Sequence, residues 1–143
     1  MASWEDFTSE APELAATVQR LFTERLHHTM ATLRLDGSPR ISGTEVVFSD
    51  GELRIGMMEG TRREGDLRRD PRLALHSQGV DHVTPEARWP GEAKVSGTAV
   101  PLGDGAWRID VTEVSHVCHG GDPPDRLDIT WWREGNGVQV LHR

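Results

Sequence analysis

A threonine and two arginines at the start of a predicted short helix form the clearest candidate for an anion-binding site. The sequence Thr61-Arg62-Arg63-Glu64 has the pattern of a capping box, in which the hydroxyl and the carboxylate bind free backbone N–H groups. The other N–H groups of the first turn and the positive end of the helix dipole favour an anion. Because Arg62 and Arg63 add positive charge where cations disfavour the helix, a phosphate would offset that cost. The alternative is that they pair with neighbouring acidic residues, such as Glu59, on a solvated surface.

A second segment, His116-Val117-Cys118-His119, contains possible metal ligands. His116 and Cys118 would share one face of a strand, but two ligands make half a site, and no second pair has compatible spacing. No helix start or clear base lies near Cys118 to activate its thiol. We therefore expect no bound metal, and the single cysteine allows no intrachain disulfide.

Length and charge exclude several classes of protein. The chain has 143 residues, which predicts one domain over 1–143, and 36% of the residues are apolar. Sixteen basic and twenty-three acidic residues give a net charge of −7, which argues against binding to nucleic acid or to an anionic membrane. Glu5, Asp6 and Glu10 stand where a signal peptide would carry positive charge. With no apolar stretch of about 18 residues, these features favour a cytoplasmic protein.

Two helices are predicted to position these residues. We expect a frayed leader over 1–8, or 1–10 at its widest, followed by an amphipathic helix over about 12–28 with apolar residues at helical spacing. The short helix begins at Thr61 and ends at Asp70, because the residue before Pro71 is disfavoured in helical conformation.

The remainder of the chain alternates with the two-residue period of strands. Strands are predicted over 29–35, 40–48, 53–57, 73–77, 93–99, from 107 with a bulge near Thr112–Glu113, 127–132 and 138–141. The first three should form a meander, with Asp-Gly turns between them. A loop over 78–91 is long enough to suggest a functional role. Seven or eight antiparallel strands with two helices predict a mainly β, closed or partly closed barrel.

Several segments together resemble the pyridoxamine-5′-phosphate-oxidase-like, FMN-binding split-barrel superfamily. The segment 31–40 resembles its opening hairpin, and Asp50-Gly51-Glu52-Leu53 resembles its next turn. Gly60-Thr61-Arg62-Arg63 resembles the start of its short helix, and Asp70-Pro71-Arg72 resembles the entry to its next strand. The resemblance covers about 25–143 and implies an antiparallel, Greek-key-like split barrel.

The resemblance also implies a cofactor site. It implies a homodimer with FMN at the subunit interface, where the phosphate would be held by Arg40, Thr61, Arg62 and Arg63. The backbone of Ile55, Gly56 and Met57 would lie along the flavin ring, and Glu92 and Lys94 would approach the cofactor from the sixth strand. This acidic-x-lysine pair is similar to one found in branches that use the deazaflavin F-420.

The resemblance and the residues allow two classes of function. The protein could be an oxidoreductase that passes a hydride between FMN, or F-420, and a small molecule. No catalytic side chain is assigned, because the ring would carry the redox chemistry. The alternative is a split barrel that binds a flavin, haem or another anionic ligand without turnover.

Overall fold

The computed structural model describes residues 1–79, Asp81 and 88–143, and it is mainly an antiparallel sheet. The helices in these residues are α1 (Trp4–Glu10), α2 (Pro12–Thr23) and α3 (Arg62–Arg69). The strands are β1 (His28–Leu33), β2 (Pro39–Thr44), β3 (Val46–Ser49), β4 (Glu52–Gly56), β5 (Arg72–His76), β6 (Glu92–Gly103), β7 (Ala106–Gly120), β8 (Arg126–Arg133) and β9 (Gly137–His142). The predicted split barrel with an N-terminal and an inserted helix is confirmed, although nine strands are described rather than seven or eight.

Strand β7 is the point at which the sheet divides. The main path runs β2-β1-β5-β6-β7-β4-β3, and β8 and β9 continue separately from β7. One edge of β7 pairs with β6, while its other edge pairs with β4 over 106–109 and with β8 over 113–120. Between these two parts, Gly97 pairs with Val111 and Ser96 with Glu113, so Thr112 is an extra residue. The predicted bulge is confirmed, and it bends the strand where its partner changes.

The predicted three-strand meander is wrong. The β1–β2 hairpin forms around Asp36-Gly37, where Gly37 has a positive φ of 85°. The segment 40–48, however, divides at Glu45 into β2 and β3, which lie at opposite ends of the main path. Alternation marks which residues are extended, but it does not specify which strand they pair with. Most of the predicted loop over 78–91 lies outside the described residues.

The predicted frayed leader is instead a helix that is packed on the core. The Ser3 hydroxyl accepts from the Asp6 N–H at 3.0 Å, and the Asp6 carboxylate accepts from the Ser3 N–H at 3.0 Å. Trp4 and Phe7 are buried, and the ring of Phe7 meets Trp132 edge-on at 4.9 Å between centroids. This reciprocal cap uses aspartate where the usual pattern has glutamate, and the helix is only seven residues long.

Helix α2 is shorter than predicted because a histidine closes its C-terminus. The helix ends at Thr23 rather than near residue 28, and His28 begins β1 as a buried residue. The Gln78 N–H donates to His28 Nδ1 at 2.9 Å, so Nε2 carries the proton. The Phe22 and Arg25 carbonyl oxygens each lie 2.9 Å from Nε2 and share its proton. This bond satisfies carbonyl oxygens at and just beyond the end of the helix.

The core lies between the N-terminal helices and one face of the sheet. It includes Phe22 from α2, Ile109 and Val111 from β7, and Trp132 from β8, all nearly inaccessible to solvent. Trp131, the neighbour of Trp132, is half-exposed on the opposite face. None of the helices in the described part of the chain is long and apolar enough to span a bilayer.

Replacing Phe7 with alanine tests whether the first helix is part of the folded core. We expect Phe7→Ala to lower the free energy of unfolding by about 3–5 kcal/mol, because a fully buried aromatic ring would leave a cavity. Ser9→Ala, at an exposed position of the same helix, should change it by less than about 0.5 kcal/mol. Urea unfolding measures both values. An unchanged stability for Phe7→Ala would mean that the N-terminal segment is frayed in solution.

Candidate functional site

Three of the residues proposed from the sequence line one groove beside helix α3. Gly56 and Met57, at the end of β4, face Gly43 from β2 and Arg63 from the first turn of α3. The groove has a volume of about 470 Å³, within the range typical of ligand sites. Its other lining residues are His27, Thr44, Glu45, Val47 and Met58. The structure therefore brings together segments of β2, β4 and α3.

The first turn of α3 presents positive charge that nearby carboxylates do not neutralise. Arg63 donates from Nη1 to the Gly43 carbonyl, and Arg62 is exposed without an ion pair to any described residue. The acidic residues of this helix have other partners, since Glu64 pairs with Arg68 and Asp66 pairs with two arginines. Arg63 thus brings its charge to the groove, whereas Arg62 and Thr61, at the same helix start, are not among the residues that line it.

Thr61 caps α3, although the capping box is shifted. Its hydroxyl accepts from the Glu64 N–H at 3.4 Å and donates to the Met58 carbonyl at 2.9 Å. Glu64 Oε1 accepts from the Gly60 N–H at 3.4 Å rather than from the N–H of Thr61. The last helical residue is Arg69, and Asp70 caps the helix in an extended conformation before Pro71, so the predicted end is confirmed.

Arg40 does not line the groove, because its guanidinium binds a buried carboxylate. Arg40 Nε donates to Asp66 Oδ2 at 2.7 Å, and the Thr32 hydroxyl donates to the same oxygen at 2.8 Å. Arg69 donates to Asp66 Oδ1 at 3.0 Å and to the Leu33 carbonyl at 2.8 Å. Burial of Asp66 opposes ionisation, but the bonds from Arg40, Thr32 and Arg69 outweigh it and lower its pKa to about 2. This network ties α3 to the β1–β2 hairpin.

Glu92 and Lys94 lie elsewhere on the sheet, beside His76. Glu92 Oε2 is 3.2 Å from His76 Nε2, and Glu92 Oε1 is 3.8 Å from Lys94 Nζ. Gly43, Thr29, His76 and Lys94 are paired in turn across four strands, so they share one face of the sheet. Three strand spacings separate Gly43 from Lys94 by roughly 14 Å. Within one chain, Lys94 therefore does not reach the groove.

Ile55 does not line the groove, although Gly56, the next residue of β4, does. Its side chain is buried in the core at 2% exposure, so only its backbone could contact a ligand. Six groove residues were missed from the sequence, and three of them, Gly43, Thr44 and Val47, lie on β2 and β3. Only the approach of α3 to β2 makes them part of a site.

The segment around Cys118 supplies no metal site among the described residues. No group of three or more His, Cys, Asp or Glu residues is arranged to hold an ion in residues 1–79, 81 and 88–143. Cys118 is half-buried, and burial together with nearby Asp128 raises the pKa of its thiol. This shift disfavours the thiolate, the form that would act as a nucleophile.

Comparison with known proteins identifies the fold. No family model matches the sequence. No curated protein matches it either. A pyridoxamine 5′-phosphate oxidase-related, FMN-binding protein from Nostoc punctiforme is similar in structure, with a TM-score of 0.63 over 93% of this chain and 95% of that chain at 9% identity.

Two further structures have the same fold. PhzG from Burkholderia lata, solved with tetrahydrophenazine-1-carboxylic acid, has a TM-score of 0.62 over 95% of this chain and 90% of that chain at 13% identity. A haem-binding protein from Mycobacterium smegmatis has a TM-score of 0.57 over 92% of this chain and 88% of that chain at 14% identity. The chain thus has the split-barrel fold of the superfamily that its sequence resembles.

Replacing Asp66 with asparagine tests the network that holds α3. At pH 7 we expect Asp66→Asn to lower the free energy of unfolding by about 2 kcal/mol or more, because the ionised carboxylate is lost. The folded pKa of about 2 lies below the ordinary value of 3.8. The contribution is therefore complete above about pH 4 and lost as the pH falls towards 2.

Urea unfolding at pH 7 and between pH 4 and 2 measures this difference. Asp104→Asn is the matched control, since Asp104 is exposed in the β6–β7 turn. It should change the stability by less than about 0.5 kcal/mol. Equal stability of the Asp66 variant and the parent protein at pH 7 would contradict the role of the network.

Proposed function

We propose that this protein is an oxidoreductase that binds FMN, or the deazaflavin F-420, and transfers a hydride to or from a small molecule. The observation that carries the proposal is the groove that joins Gly56 and Met57 to Arg63 at the start of α3. A phosphate at this helix start would meet free N–H groups, the helix dipole and two guanidinium groups. The similar fold of an FMN-binding protein adds support.

Each part of the groove has a separate role in this proposal. Thr61, Arg62 and Arg63 would hold the phosphate, and Gly56 and Met57 would provide a surface along the edge of β4 for the ring. Arg40 would act indirectly, because it fixes α3 through Asp66. When bound, the flavin or deazaflavin would supply the hydride chemistry, and the protein would supply its position and electrostatic environment.

A second copy of the chain would complete the site. The exposed face of the sheet carries Ile41, which is 74% exposed, in a row with Ala31, Ala74 and Ser96. This row is adjacent to the one that contains Lys94. We propose a homodimer packed through this face, which would cover Glu92 and Lys94 and place them at the interface.

Binding of haem without turnover is the second candidate function. His27 lines the groove with an exposed imidazole, and its Nδ1 is 3.6 Å from Glu45. An imidazole at this position could serve as an axial ligand of haem iron. The similar fold of a haem-binding protein favours testing this alternative. If haem binding is the function, the parent protein should shift the Soret band of added haem and have no affinity for FMN or F-420. Loss of that shift in His27→Ala would support this alternative.

The double variant Arg62→Ala, Arg63→Ala tests the phosphate site. Removing both guanidinium groups should weaken binding of FMN or F-420 by on the order of 3 kcal/mol, or about a hundredfold. Neither side chain belongs to the core, so the variant should fold. Titrations with FMN and with F-420, followed by fluorescence or calorimetry, measure the dissociation constants.

A second double variant controls for the loss of charge. Arg20→Ala, Arg72→Ala also removes two exposed arginines, and neither residue lines the groove. Its affinity should stay within about threefold of the parent protein. If the folded Arg62, Arg63 variant bound the cofactor as tightly as the parent, the phosphate would lie elsewhere.

Sedimentation tests the homodimer. At micromolar concentration we expect the parent protein to sediment as a dimer, with an interface of at least about 1,000 Å² in total. Ile41→Asp should give a folded monomer, since it places a charge on an exposed apolar position. Val140→Asp, on an exposed residue of β9 on the face opposite Lys94, is the control and should remain dimeric. A monomeric parent protein would rule the proposal out.

A further inference from the structure

A second groove lies on the opposite face of the sheet from Lys94. It is bounded by the junction of α1 with α2 and by strands β7, β8 and β9, and its volume is about 480 Å³. His116, Thr130 and Val140 are paired in turn across these strands and line its floor. His116 pairs with Ala93, the neighbour of Lys94, so the groove and Lys94 lie on opposite faces. It is therefore separate from the groove beside α3.

The walls of this second groove are partly apolar. Pro12 and Leu14 form one side, and Val138 and Val140 of β9 form the other. Val138 is 44% exposed and Val140 is 57% exposed, although both are β-branched apolar residues on the same face of one strand. A ligand with an apolar body would remove this surface from water.

The carboxylates of Glu10 and Glu13 accept hydrogen bonds, while the hydroxyls of Thr17 and Thr130 in the same groove can donate or accept. Glu10 and Glu13 are exposed carboxylates, and Glu10 Oε2 accepts from the Trp132 indole N–H at 2.7 Å. His116 Nε2 lies 3.0 Å from the Pro90 carbonyl, which can only accept, so Nε2 carries a proton and donates to that carbonyl. No lysine or arginine occurs among the described residues that line the groove.

We propose that this groove binds a small organic cation, an ammonium or guanidinium group attached to an apolar body. The cationic group would donate to Glu10 and Glu13, and the apolar body would pack between Leu14 and the two valines of β9. Two carboxylates without a compensating cation attract positive charge and reject an anion. The partly enclosed apolar walls strengthen this attraction relative to bulk water. The site is independent of the proposed cofactor and could be occupied with or without it.

Nuclear magnetic resonance with 2-phenylethylammonium as the probe tests the proposal. The Trp132 indole N–H is the reporter, because it donates directly to Glu10 at one side of the groove. We expect saturable shifts of this signal and of the Val138 and Val140 amides, with a dissociation constant of about 1 mM or lower. The anion 3-phenylpropionate, of similar size and apolar character, should cause no saturable shift at the same concentrations.

Two variants locate the contacts. Glu13→Gln should weaken binding of 2-phenylethylammonium at least about tenfold, and Val140→Thr should weaken it at least about threefold. Glu24→Gln removes an exposed carboxylate outside the groove and should leave the dissociation constant unchanged. An equal loss for Glu24→Gln would show general attraction to an acidic protein and overturn the proposal. Binding of the anion, or no binding of the cation at 10 mM (roughly tenfold above the expected constant), would overturn it too.

Discussion

The buried carboxylate of Asp66 holds the candidate cofactor site together. It accepts hydrogen bonds from Thr32 in β1, Arg40 in β2 and Arg69 in the last turn of α3. A charge that is nearly excluded from water is tolerated only when its lone pairs are satisfied, so these segments can take few other arrangements. The network fixes α3 against the hairpin and thereby sets where the first turn of α3 meets β2.

The arginines at the two ends of α3 have different roles because of this constraint. Arg68 and Arg69, in the last turn, pair with acidic residues of their own helix and suit the negative end of its dipole. Arg62 and Arg63, in the first turn, have no carboxylate partner among the described residues and oppose the dipole. Because the acidic residues of α3 pair with Arg68 and Arg69 at its C-terminal end, the positive charge of Arg62 and Arg63 at its N-terminal end is left uncompensated within the helix.

The two grooves differ in the charged side chains that line them, on a chain whose net charge is −7. The groove beside α3 lies on the side of the sheet that also carries Lys94, and its strongest donor is Arg63. The groove beside β9 lies on the other side and carries Glu10 and Glu13. The bulge at Thr112 lies between the two grooves in the chain order of β7, where this strand leaves β4 and begins to pair with β8. The groove beside α3 carries the Arg63 guanidinium together with the Glu45 carboxylate, whereas the described residues that line the groove beside β9 include two carboxylates and no lysine or arginine.

Local signals in the sequence predicted the bounds of α3, two hairpin turns and the position of the bulge. Thr61 and Pro71 bounded α3, the Asp-Gly turns marked hairpins, and a change in the apolar phase located the bulge at Thr112. Each of these features depends on residues that are close together in the chain. The resemblance of these segments to the split-barrel superfamily also predicted the fold, and it implied that Gly56, Met57 and Arg63 lie beside one cofactor.

Tertiary structure alone decided the separation of β2 from β3, the packing of α1 and the partner of Arg40. Alternation is the same whichever strand is adjacent, so it could not separate β2 from β3. A seven-residue helix such as α1 is stable only when its aromatic residues are buried. Arg40 and Asp66 are 26 residues apart, and only folding shows that the guanidinium is bound to a carboxylate within the protein. The chemical properties of a side chain can be read from the sequence, but the residue that it binds depends on contacts between distant parts of the chain.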